Sequence, residues 1–177
     1  MTRMRKTRLI GMITAILVPM TLAAQLPESR YTFKLHGQTR KYLIAMTDRN
    51  DTVDVAWSIA RDGALQKGIM RMPRNRVENG NAFCWQQPAD GERRVLGEGE
   101  TFGIISRQAF SDLKDKGFFV YNGVTYRKAD EEGGRVHVRA DIDETQMWIE
   151  MAGELPVIRE MRDNPLGIDW KIEKQTK

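Results

Sequence analysis

From residue 30 onward the chain is dominated by short runs of alternating apolar and polar residues, each closed by turn residues. That two-residue period predicts antiparallel β-strands with one buried face. "RYTFKLH" places Tyr31, Phe33 and Leu35 on one side, and "RKYLIAMT" does the same with Tyr42, Ile44 and Met46. "TVDVAWSI" turns Val53, Val55, Trp57 and Ile59 inward, with Asp54 and Ser58 outward. Gly37, "DRND" and "RDG" separate these segments, so they read as a meander. "ALQKGIMRM" reads as a fourth strand, with Ile69 opposite Met70 and Met72, and "PRNRVENG" as about one turn of helix.

Further along, "NAFCWQQP" and "RRVLGEGETF" read as strands on either side of an Asp90-Gly91 turn. The pattern then changes period. Ser106 is an N-cap candidate, Ala109, Phe110 and Leu113 recur at helical spacing, and Gly117 follows Lys114 and Lys116. A covering helix over about 106–116 is predicted. "GFFVYNGVTYRK" carries Asn122-Gly123 between two aromatic runs, the strongest short hairpin signal. "RVHVRADI" sends Val136, Val138 and Ala140 inward and His137, Arg139 and Asp141 outward, and "TQMWIEM" follows as a strand. "LPVIREMRDNPLG" is expected to hold a short helix from Pro156, ended by Asn164-Pro165. "IDWKIE" closes the series with Ile168, Trp170 and Ile172 on one side. The expected fold is mainly β: an antiparallel curled sheet or barrel-like meander of about nine or ten strands with one main helix.

The first 25 residues follow a different rule. Arg3, Arg5, Lys6 and Arg8 precede an apolar run from Leu9 to Leu22, with Ala23 and Ala24 after it. The run is shorter than the ~20 apolar residues of a membrane-spanning helix. It matches a secretory signal peptide over 1–24, cut after Ala24 or Ala23, with an uncleaved anchor as the alternative. The remaining residues, 25–177, suit a single β-rich domain without a membrane span, in the periplasm or secreted. This segment also changes the meaning of the charge. It holds four of the 28 basic residues and none of the 24 acidic ones, so the rest of the chain is formally neutral. Phosphate-backbone binding requires a basic surface, so nucleic acid is not an expected partner. A balanced charge and a self-contained core predict a monomer.

Candidate chemistry is sparse. Cys84, the one cysteine, lies between Phe83 and Trp85 and reads as an inert buried thiol; a pairing with His36 or His137 has no local signature. The two histidines lack ligand spacing, Asp141, Asp143 and Glu144 lack a calcium-loop pattern, and Met70 and Met72 read as core filler rather than copper ligands. "GEGETFG" reads as a connection between strands or a rim loop over a cavity. No cofactor or metal is expected, nor an enzyme. Inward-facing aromatics are the better candidates. Phe33, Tyr42, Trp57, Trp85, Tyr126 and Trp148 are expected to line an apolar cavity for a small, lipid-like ligand. The alternative is a structural subunit that docks another envelope protein through a strand edge or aromatic patch.

At "SRQAFSDLKDKGFFVYNGVTY", "MWIEM" and "LPVIREMRDNPLGIDWKIE" the chain resembles a group of uncharacterised exported proteins of Gram-negative bacteria. That resemblance implies export and carries no functional residue. In outline the expected fold is also similar to lipocalin-like barrels and periplasmic lipoprotein-carrier folds, an architectural likeness that implies no activity.

Overall fold

The computed structural model describes residues 25–86 and 89–173. The leader expected over 1–24 lies outside the described residues. Four long strands open the chain: β1 (Gln25–Leu35), β2 (Gln38–Asp48), β3 (Thr52–Arg61) and β4 (Ala64–Pro73). They pair in sequence order as an antiparallel meander. The helix α1 (Arg74–Asn79) follows, then three very short strands, β5 (Ala82–Phe83), β6 (Arg93–Val95) and β7 (Glu100–Thr101). After α2 (Arg107–Lys116) comes a second meander of β8 (Phe118–Tyr121), β9 (Val124–Glu132), β10 (Arg135–Ala140), β11 (Gln146–Ala152), β12 (Leu155–Arg162) and β13 (Ile168–Ile172).

The two meanders join where the first and last strands pair. β13 pairs with β1 from Tyr31↔Ile172 to Leu35↔Ile168, giving one sheet in the order β6-β4-β3-β2-β1-β13-β12-β11-β10-β9-β8. The sheet therefore has eleven strands rather than nine or ten, and it stays open. Its outer members are short, β6 with three residues and β8 with four, and they do not pair with each other. Two pairings also depart from a purely antiparallel meander, because β6 joins β4 in parallel and β5 joins β7 in parallel as a separate pair.

Local chemistry explains most of the elements. The turns at Asp62-Gly63 and Asn122-Gly123 have positive φ at both central residues, as a tight hairpin with the twist of its strands demands. Ser106 Oγ accepts from the Ala109 N–H at 3.2 Å and caps α2, and Gly117 at φ 79° closes it. The helix expected from Pro156 is instead strand β12. All four residues from Leu155 to Ile158 are buried, which a one-sided helix at this surface would not allow. They are held on both edges, by β11 and by the segment before α2: Val157 bridges Ile104, Ile105 N–H donates to Pro156 O, and Ile158 N–H donates to Gly103 O. The Asn164-Pro165 breaker ends a strand rather than a helix.

One face of the sheet holds the core, covered by Val77 of α1 and by Ala109 and Leu113 of α2. Both helices sit at the end of the sheet where β4 stops and β8 starts. Arg107 fastens them to the strands, with Nη1 2.7 Å from Glu78 Oε1 and Nη2 2.7 Å from Glu154 Oε2. Arg74 pairs with Asp48 beside it.

Two residues expected to face water are outward but covered. His137 donates or accepts at Asp130 Oδ2 (2.9 Å) and Gln146 Oε1 (3.0 Å), and its ring lies on Trp148. Asp54 is buried beneath Arg49 and Arg71, with Arg71 Nε 2.7 Å from its Oδ1. The hydrogen bond from Arg71 holds the Asp54 carboxyl below the ordinary carboxylate range, against the cost of burial. A depressed native pKa contributes stability that is present above the unfolded value of 3.8 and is lost as the pH falls through the native value. Asp54→Asn is therefore expected to cost about 1 kcal/mol at neutral pH, with the difference from wild type shrinking toward pH 3. Urea unfolding at the two pH values measures it; a pH-independent difference would mean that the charge is not what matters.

Candidate functional site

An apolar cavity opens on the inner face at the end of the sheet opposite the helices. Its wall follows from strand register. Phe33 on β1 lies opposite Trp170 on β13, and Ile44 on β2 lies opposite Trp57 on β3. The rings continue from strand to strand. Trp57 meets Tyr42 at 6.1 Å, Tyr42 meets Phe33 edge-on at 5.4 Å, and Phe33 meets Trp170 at 5.7 Å. From Trp170 the series passes to Trp85 at 6.4 Å and on to Phe83 at 5.3 Å. Edge-to-face and offset contacts of this kind contribute about 0.5–1.5 kcal/mol each beyond the area they bury. Leu35, Met70, Cys84, Thr101, Phe102, Gly103 and Ile168 complete the lining, with Gln86 as its one exposed member.

The cavity measures about 60 Å³. At roughly 10–15 Å³ per water-sized probe, that is room for about four waters. It is far below the ~300–1,000 Å³ of a site for a drug-sized ligand. No charged residue lines it. Burying a charge in such a wall is costly, so the space suits an uncharged, narrow occupant.

Of the six aromatics singled out from the sequence, Phe33, Tyr42, Trp57 and Trp85 come together here. Tyr126 points inward but packs elsewhere, stacked on Phe119 at 5.2 Å near Phe83. Its phenol is pushed up to about 12 by burial. Trp148 is on the opposite face. Met147 and Ile149 of β11 are fully buried inward, so the pleat turns Trp148 out, between His137 at 4.4 Å and the Arg162 guanidinium at 4.7 Å. Sequence reading missed Trp170, Phe83 and Phe102. Trp170 alternates with Ile168 and Ile172 as Trp57 does with its neighbours, so the signal was present; what was hidden was that its strand docks on β1.

The remaining candidates have structural roles. Met70 and Met72 are buried, and Met72 Sδ accepts from the Phe102 N–H. Asp141 pairs with Arg127, and Asp143 accepts from the Thr145 N–H. Among the described residues no group of three His, Cys, Asp or Glu side chains is placed to hold a metal. Burial pushes the Cys84 thiol up, and its sulfur faces Gln86 O and Arg94 at 3.9 Å rather than a histidine. "GEGETFG" contributes Gly103 to the cavity wall, where an added Cβ would come 2.9 Å from Met46 Cε. No helix among the described residues is long and apolar enough to cross a membrane. Comparison with protein families, with curated proteins and with solved structures finds no match, so the reading of this chain rests on its own geometry.

Proposed function

We propose that this chain is a non-catalytic binding module of the cell envelope, exported by its leader, which holds the apolar end of a small lipid-like ligand inside its curled sheet. One observation carries the reading: a continuous aromatic wall, uncharged throughout, surrounds an unfilled space instead of packing it shut. Interiors normally close such gaps, because each one forfeits contact energy around its whole lining. The volume restricts the occupant to a chain end or a comparably slender group.

Native mass spectrometry of the protein isolated from its own envelope tests the proposal. A mass increment of lipid size that is removed by organic solvent supports it. A bare chain, or one that copurifies with a protein and no small molecule, overturns it in favour of a docking subunit.

A further inference from the structure

Trp57 is the feature of the cavity that packing alone does not explain. It is 4% exposed, and its Nε1 is the only buried side-chain atom of the lining, among the described residues, that has no hydrogen-bond partner. Two other polar groups of the wall are engaged. Thr101 Oγ1 lies 2.8 Å from Ile104 O and 3.3 Å from the Tyr121 hydroxyl. Trp170, the matching indole across the cavity, donates from Nε1 to Ile158 O at 3.3 Å. A buried donor without an acceptor costs about 1–3 kcal/mol, and native proteins contain few of them.

The backbone is shaped to keep this indole. Trp57 lies opposite Gly68 on β4. A Cβ at Gly68 would lie 2.7 Å from the Glu92 carbonyl oxygen, 2.7 Å from Trp57 Cζ2 and 2.9 Å from Cε2, the carbon bonded to Nε1. A phenyl ring would provide an apolar wall at this position without any orphaned donor. Glycine at position 68 lets the indole lie directly on the β4 backbone, beside the Glu92 carbonyl that accepts from the Ile69 N–H.

We infer that Trp57 Nε1–H is the specificity-determining donor of the cavity, and that the ligand is an uncharged, unbranched acyl compound whose carbonyl accepts from it. This inference rests on the ligand-binding reading above and adds the ligand's chemical class. An ester, amide or ketone oxygen would satisfy the donor. A carboxylate would have to shed its water beside a wall with no cation, and a hydrocarbon would leave the donor unpaired. The narrow volume excludes fused rings and paired chains. Nε1 is shut off from water in the empty protein. The acceptor therefore arrives with a small repacking of the wall, for which the unbranched Met70 thioether is the most adaptable member.

Two slender probes with the same number of non-hydrogen atoms, heptan-2-one and n-octane, separate these possibilities on ¹⁵N-labelled protein. Heptan-2-one is expected to move the Trp57 indole proton downfield, and n-octane to leave it in place. Trp57→Phe should weaken ketone binding about 2- to 10-fold relative to alkane binding, the loss of one net hydrogen bond. Comparing the ratio between the two proteins cancels the different cost of taking each probe out of water. If both probes bind and the Trp57 proton responds to them alike, or if the ketone preference survives Trp57→Phe, the donor assignment is overturned while the cavity reading stands. If neither probe binds, both are overturned. Should Trp57→Phe fail to fold, the wild-type indole shift decides alone.

Discussion

Trp170→Ala is expected to destabilise the protein by about 3–5 kcal/mol, the range for removing a large buried aromatic. The position makes the loss more than a cavity. β12 and β13 share only two register pairs, Glu160↔Lys171 and Met161↔Trp170, because the first half of β12 is occupied by the segment around Ile104. Among the described residues this short ladder is the only strand pairing that carries the second meander onto β13 and so onto β1. Trp170 reinforces it from three directions: it opposes Phe33 on β1, opposes Met161 on β12, and donates from its indole to Ile158 O. Equilibrium unfolding in urea measures the effect. A loss below 1 kcal/mol would mean that the seam is held by something other than this side chain. Trp170→Phe should retain part of the stability, since the ring contact survives and the hydrogen bond does not.

Tyr121→Phe is expected to cost about 1–3 kcal/mol although it changes no packing volume. The Tyr121 hydroxyl is fully buried and accepts the backbone N–H of Ser106 at 2.6 Å. Ser106 is 1% exposed, so without that oxygen its N–H has neither protein nor water to bond. The hydroxyl also ties β8 to the first residue of the α2 cap, joining one outer strand of the sheet to the helix that covers its core. Hydrogen exchange across α2 should therefore accelerate in the variant even where global unfolding remains cooperative. Unchanged exchange and unchanged stability together would show that the Ser106 amide finds another partner.

The strands of the first meander were legible because each is recorded twice, once in its alternation and once in the turn that ends it. Tyr31, Phe33, Tyr42, Ile44, Val55 and Trp57 face inward as the period of two requires. The covering helix was legible for a similar reason, since Ser106 and Gly117 mark its ends chemically. "LPVIREM" misled because a short, wholly apolar start carries no period, and only its neighbours on both edges make it a strand. Trp148 misled because its run was read without a face. The burial of Met147 and Ile149, set by packing against the core, decides which side of β11 is inner.

For the candidate site the division is sharper. The sequence by itself determined the composition of the cavity wall: aromatic residues at alternate positions, with no acidic or basic residue among those of the inner face of β1 to β3 that line it. It could not place β13 beside β1, because that pairing joins residues about 140 positions apart and leaves no mark in either segment. Nor could it keep the sheet open. Closure depends on whether the outer strands pair across the core, and β6 and β8 do not. The tertiary structure alone brings Trp57, Trp85 and Trp170 around one unfilled space, and leaves the Trp57 N–H without a partner among the described residues. Period and turn chemistry act within a few residues, whereas burial and hydrogen-bond satisfaction are properties of the assembled core.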